Sequence, residues 1–224
     1  MKLSNNTISV LKNFASINQN LVIKEGSELL TMSAMKNIVA KATVEETFPK
    51  EIAIYDLNEF LASLSLFKNP ILDFNDSFVM ITEENQKGKT LKYFYSDPSV
   101  VTTPTKTITM PSTEVNFSLS NEILSQIKKA SGVIGAPDMV LETKDGDVLL
   151  TAKDKKNDTA NNYSLDIETN SSGEFKFFFK VENLKVMEGN YDIEISSKNI
   201  SHFSNNSSSV EYWIALEPES TYSA

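Results

Sequence analysis

Residues 3–15 read LSNNTISVLKNFA and residues 119–131 read LSNEILSQIKKAS. At a constant offset of 116, Leu3, Ser4, Asn5, Ser9 and Lys12 recur as Leu119, Ser120, Asn121, Ser125 and Lys128. A repeat spaced at about half of a 224-residue chain implies two copies of one unit, each long enough to bury its own core. Both copies have helical spacing. Ile8, Leu11 and Phe14 with Ala15 form an apolar stripe in the first, and Leu124, Ile127 and Ala130 form the corresponding stripe in the second. The opposite faces also correspond, with Asn5, Ser9, Lys12, Asn13 and Ser16 on one helix and Asn121, Ser125, Lys128, Lys129 and Gly132 on the other. A Ser-Asn pair opens each helix as an expected N-cap, because a serine hydroxyl there accepts from a first-turn N–H that lacks a helical partner.

Segments of strand character follow each helix. After the first come LVIKEG, ELLTMSA, NIVAKATVE and EIAIYD, a second short helix LNEFLASLSLF, and then ILDF, FVMITEE and LKYFYS. After the second come MVLETKDG, DVLLTAK, YSLDIET and FKFFFKV, a short helical piece ENLKVM, and then YDIEISSK, ISHFSNN and VEYWIALE. Asp145-Gly146 between two such runs is a hairpin signal. Between the halves lies a stretch with Pro98, Pro104 and Pro111 and no helical period, which reads as an extended connector. The expected plan is a first domain at 1–97, a connector at 98–113 and a second domain at 114–224.

Composition removes several kinds of chemistry. Without cysteine there is no disulfide framework, thiolate nucleophile or sulfur-based metal site, and a single histidine, His202, excludes a His-rich one. The opening residues lack the apolar core of a signal peptide, and no apolar run approaches the ~20 residues of a membrane-crossing helix, so an intracellular protein without membrane contact is expected. No P-loop, GxGxxG, HExxH, GxSxG or EF-hand pattern occurs. Carboxylates cluster at Glu45-Glu46, Glu83-Glu84 and Asp145 to Asp147, where turns and strand ends favour solvated acids over a metal or acid/base pair. The run Phe175, Phe177, Phe178 and Phe179 fits a strand with a buried face better than a base-stacking platform.

Five ordered blocks then carry a resemblance. They are MKLSNNTISVLKNFASIN at the start, AIYDLNEFLASLSL at 53–66, DPSVVTTPTKTITMP at 97–111, MEGNYDIEI at 187–195 and ALEPEST at 215–221. Together they resemble the sliding clamps of T-even-type bacteriophages, which are processivity factors of the phage DNA polymerase. Residues 69–92 match weakly, and positions where that family often has arginine are lysine or neutral. The resemblance implies the α+β DNA clamp fold, with two similar domains of two helices each packed on antiparallel sheets and assembled as a ring. It further implies a homotrimer that encircles duplex DNA without enzymatic activity or cofactor and tethers the polymerase. An ATP-dependent clamp loader and late transcription factors are the other implied partners, in the cytoplasm of the infected bacterial host.

The charge balance constrains how such a ring would hold DNA. The chain has 30 acids against 21 cations, all lysine, for a net charge of −9, so a ring of three must concentrate its cations where phosphates pass. Lys12, Lys128 and Lys129 lie on the small-residue polar stripes; Lys180 and Lys185 around the short second-half helix, and Lys68 at the end of its first-half counterpart, extend the set. Lysine is a flexible point charge without the planar fork that reads guanine, which suits a hold independent of base sequence. Partner peptides are expected to dock against Val100, Val101, Ile108 and Met110 of the connector with Leu216 and Pro218 near the C-terminal end. Subunit contacts are expected near 89–97 and 162–169. Two other readings remain at this point: a β-rich viral structural protein, and an enzyme using Glu83 or Glu84 with a divalent metal.

Overall fold

The computed structural model describes residues 1–104, 108–171 and 173–224 and divides into two compact units, Met1–Thr107 and Ile108–Ala224. The division falls within the 98–113 stretch.

In the first unit, α1 (Asn5–Ile17) begins at Ser4, whose hydroxyl accepts from the Thr7 N–H at 3.2 Å. Its buried side is Thr7, Val10, Leu11, Phe14 and Ile17, a stripe rotated slightly from the expected one, with Ile8 and Ala15 half-buried at its margins. The chain continues through β1 (Leu21–Ile23), β2 (Gly26–Met32), β3 (Ile38–Phe48) and β4 (Ile52–Ile54). β1 pairs antiparallel with β4, and β2 with β3. Asp56 caps α2 (Leu57–Ser65) by accepting from the Asn58 and Glu59 N–H groups, and an antiparallel meander of β5 (Pro70–Phe74), β6 (Phe78–Glu83) and β7 (Thr90–Phe94) follows. Helix α1 packs against both α2 and β3. Burial of Leu11, Phe14, Phe60 and Leu64 between these elements supplies the apolar gain, about 2 kcal/mol for each fully buried large side chain.

The second unit opens with β8 (Val115–Leu119) and α3 (Asn121–Ile134), capped by Ser120 through the Ile123 N–H at 3.2 Å. Gly135, in the left-handed region at φ +68°, ends the helix. The strands β9 (Asp138–Lys144), β10 (Asp147–Lys153), β11 (Tyr163–Asp166), β12 (Glu174–Lys180) and β16 (Thr221–Ser223) form one sheet in the order β11-β10-β9-β12-β16, and α3 packs on β9, β10 and β11. The turn between β9 and β10 is the expected one, with Asp145 and Gly146 at φ +54° and +92°. In the other sheet, β13 (Tyr191–Ser196) pairs with β8 and with β14 (Ile200–Asn205), which pairs with β15 (Val210–Ala215), all antiparallel. Edge-to-face contacts join Phe179, Phe203, Tyr191 and Tyr212 in this core. All four of Phe175, Phe177, Phe178 and Phe179 are buried, so none offers a face to a nucleic-acid base.

One expected element is absent in form. ENLKVM is not a second helix of this unit; only a 3-10 turn spans Val181–Asn183. No side chain caps it, and Leu184 leaves helical geometry at ψ +50°. Leu184 and Val186 are both buried, a spacing of two that belongs to extended chain and overrides the weak helical pattern. In α3, Ser131 and not Ala130 is fully buried, because its hydroxyl finds the Ala136 carbonyl at 2.5 Å.

Candidate nucleic-acid interface

The exposed residues of α1 include Asn5, Ser9, Lys12 and Ser16, at steps of four, three and four along one line of the helix, with Asn13 half-buried beside them. Ser9 and Ser16 turn back onto the helix, donating to the Asn5 carbonyl at 2.9 Å and the Asn13 carbonyl at 2.6 Å. Their hydroxyls therefore stay low, and Lys12 is the only charged side chain of the helix. Among the described residues Lys12 has no ion-pair partner.

The matching face of α3 is built differently around its lysines. Ser125, Lys129 and Gly132 are exposed, whereas Asn121 and Lys128 are half-buried. Lys128 lines a groove of ≈ 230 Å³ between α3 and residues 186–188, together with Ser125 and Glu188. Burial pulls its ammonium below the usual lysine value, and the Glu188 carboxylate partly offsets that. The helix starts also diverge. Glu46 of β3 reaches α1 and accepts from the Ser4 N–H and the Thr7 hydroxyl. At α3 an amide pair stands instead: Asn190 Oδ1 accepts from the Asn121 N–H at 2.8 Å, and Asn121 Oδ1 from the Gly189 N–H at 2.9 Å.

The remaining lysines separate. Lys185 is exposed just past the 3-10 turn, and Lys68 is exposed just past α2. The exposed side of α2 itself carries Asn58, Glu59, Ala62 and Ser65 and no cation. Lys180 is not on a helical face: its ammonium is 2.6 Å from Asp138, a side chain only 1% exposed, and 4.0 Å from Glu217. Both carboxylates belong to the same unit as the lysine.

The expected docking residues are distributed over both units. In the first, Val101 is buried against Val22 and Ala53, while Val100 is 57% exposed on the other side of the chain. Asn20 anchors this stretch by accepting from the Thr102 N–H at 3.2 Å. In the second, Ile108 and Met110 are half-buried, Leu216 is buried with its N–H on the Asn199 carbonyl at 3.0 Å, and Pro218 is exposed.

Glu83 and Glu84, the carboxylates of the metal-enzyme reading, both have partners. Glu83 accepts from the Lys68 and Asn69 N–H groups, each at 2.7 Å, and from Lys89 at 3.3 Å. Desolvation opposes its charge, but these donors hold its carboxyl below the usual range. Glu84 pairs with Lys2 at 3.1 Å. His202 stacks on Trp213 with ring centres 4.9 Å apart and sits between Glu194 and Glu211. Among the described residues no group of three or more histidine or acidic side chains is placed to hold a metal ion.

Comparison with known proteins covers both halves. The family described as DNA polymerase processivity factor matches residues 2–94, and the one described as gp45 sliding clamp, C terminal, matches residues 116–218. The sliding clamp of Vibrio phage KVP40 is 38% identical, over 97% of this chain and 99% of its own length. Those of Escherichia phage RB69 and Enterobacteria phage T4 are 31% and 29% identical, over 99% of both chains in each case. Among solved structures, A. fulgidus PCNA bound to the C-terminal region of FEN-1 superposes with a TM-score of 0.71 at 15% identity, covering 98% of each chain. PCNA of Thermococcus kodakaraensis gives 0.68 at 14% identity, over 95% of this chain and 96% of its own. At such identities the structures establish the clamp fold and nothing further.

Proposed function

This chain belongs to the bacteriophage sliding clamp family, and we propose that three copies close into a ring that encircles duplex DNA and tethers the phage DNA polymerase. The observation that carries the proposal is an exposed lysine beside small uncharged residues on the first helix of each unit: Lys12 with Asn5, Ser9 and Ser16, and, next to the half-buried Lys128 that matches Lys12 in the repeat, Lys129 with Ser125 and Gly132. Small neighbours let the phosphate backbone approach, and point charges on flexible stems hold it without reading bases. Six such surfaces would surround the duplex in a trimer. Lys12, Lys128 and Lys129 are the principal contacts in this reading, with Lys185 and Lys68 at the margins.

A ring that is acidic overall and basic only on its inner surface does not gather DNA from solution, which supports dependence on an ATP-driven loader. Once closed, tethering replaces repeated encounter with a high effective concentration of polymerase at the primer end. Polymerase, loader and late transcription factors are proposed to dock at the residues expected from the sequence, Val100 and Val101 in the first unit and Ile108, Met110, Leu216 and Pro218 in the second.

Subunit contacts are proposed at two sheet edges. β7 borders the first unit's meander and β11 borders the second unit's larger sheet. Phe94 is 65% exposed on β7 and Tyr163 38% on β11, while Lys92 and Asp166 give the two edges opposite charge. Such unlike edges fit head to tail, the heterologous contact that a closed ring of three requires. The test is a solution mass measurement followed by primer extension with the cognate loader and polymerase. A trimer that lengthens products only when the loader is present is expected; a monomer that leaves processivity unchanged would sink the proposal.

A further inference from the structure

Lys155 lies in the turn after β10, and its side chain is only 8% exposed. Its ammonium is 2.7 Å from Glu217 Oε2, contacts the Glu219 carboxylate, and stands 5.5 Å from the centre of the Phe178 ring. Glu217 and Glu219 flank Pro218, so one cation grips the chain on both sides of that residue. The same stretch is fastened through its backbone. The Glu217 N–H donates to the Phe178 carbonyl at 2.9 Å, the Ser220 N–H to the Glu217 carbonyl at 3.0 Å, and the Phe178 N–H to Ser220 Oγ at 3.0 Å. Lys155 is itself fixed, because its N–H donates to Asp138 Oδ2 at 3.1 Å while Lys180 holds the other oxygen of that buried carboxylate. Burial opposes the Lys155 charge, yet the hydrogen bonds to Glu217 and Glu219 outweigh it and raise the ammonium above the usual lysine value.

We propose that Lys155 is a positioning residue that holds the 216–220 turn in one conformation and so presents Pro218 to an apolar partner peptide. The inference rests on the reading of Leu216 and Pro218 as part of the docking region. Without the lysine, two carboxylates two residues apart repel one another across Pro218, and the turn must be ordered at the expense of binding. A buried ion pair adds little net stability compared with apolar packing, so its contribution here is conformational specificity.

The test uses the full-length trimer and a fluorescent peptide of the polymerase's C-terminal residues. Lys155→Met is expected to weaken peptide binding by about tenfold, through lost preorganisation, with faster hydrogen exchange at the amides of Glu217, Glu219 and Ser220. Lys155→Arg keeps the charge and restores most of the affinity. Glu219→Gln removes one arm while Glu217 still pairs the lysine, so it leaves the unfolding midpoint unchanged and weakens the peptide by roughly threefold. Pro218→Glu probes the docking reading directly. Wild-type peptide affinity in Glu219→Gln and in a folded Lys155→Met, alongside lost affinity in Pro218→Glu, overturns the positioning role alone. Wild-type affinity in Pro218→Glu overturns the docking reading and the positioning role with it.

Discussion

Glu46, at the far end of β3, accepts a hydrogen bond from the backbone N–H of Ser4 and thereby caps α1 from 42 residues away. A second bond from the Thr7 hydroxyl completes the arrangement, and the negative charge lies at the positive end of the helix. Burial alone would raise this carboxyl, but the donors outweigh it and hold it below the usual glutamate value. The stabilisation is therefore complete above the unfolded-state value near 4.5 and disappears as pH falls through the lower folded-state value. Glu46→Gln is expected to cost about 1 kcal/mol at neutral pH, a modest figure because the group is partly exposed. Trp213 lies outside the first unit, so the measurement is hydrogen exchange at α1 amides, which reads the capped helix directly. A gap between variant and wild type that fails to narrow below pH 4.5 would contradict the assignment.

Lys12 and Lys128 occupy repeated positions but not equivalent environments. The first is exposed on a helix without acids, and the second is half-sequestered beside Glu188. Lys12→Gln should therefore reduce the salt dependence of DNA retention more than Lys128→Gln, with roughly 0.9 lost from the log–log slope for each phosphate contact removed. Glu188→Gln should strengthen retention, because it frees the Lys128 ammonium from a competing carboxylate. Changing Lys12 and Lys128 together to glutamate should impair loading and processivity while leaving the trimer intact. Equal slopes for both single glutamine variants would show that the groove does not shield Lys128.

Phe94 and Tyr163 are large apolar side chains left exposed on edge strands of different units. A single chain gains nothing from exposing them, whereas in a head-to-tail ring the neighbour on each side can cover one of them. Phe94→Asp or Tyr163→Asp should shift the trimer toward monomer in sedimentation velocity, with each monomer keeping the far-ultraviolet circular dichroism of the wild type. Trimers that persist in both variants at low micromolar protein would place the subunit contact elsewhere.

The repeat and the apolar alternation carried most of the fold, because helix faces and strand faces are written locally in steps of three to four and of two. What escaped depends on partners distant in sequence. ENLKVM has enough apolar residues for a short helix, and only the burial of both Leu184 and Val186 makes it extended. Val100 and Val101 look interchangeable as text, yet one is exposed and the other packs on Val22 and Ala53. The two serine caps were evident from their spacing, but Glu46 at one helix and Asn190 at the other could not be paired with them by local pattern.

Lys180 has a partner distant in sequence that local pattern does not reveal, and that partner gives a test. It stands just before the 3-10 turn, its ammonium meets Asp138 at 2.6 Å, and Asp138 also accepts from the Lys155 N–H. Removing the carboxylate leaves a cation and an amide without their acceptor in a nearly dry site, so Asp138→Ala should cost about 3 kcal/mol in urea unfolding followed through Trp213. Lys180→Met leaves a buried carboxylate short of one donor and should also destabilise, though less, because the Lys155 N–H remains. If Lys180 is structural, the salt dependence of DNA retention in Lys180→Met matches wild type once both proteins are fully folded. A slope reduced as in Lys12→Gln would return Lys180 to the DNA-facing set and show that its pairing with Asp138 opens when DNA is bound.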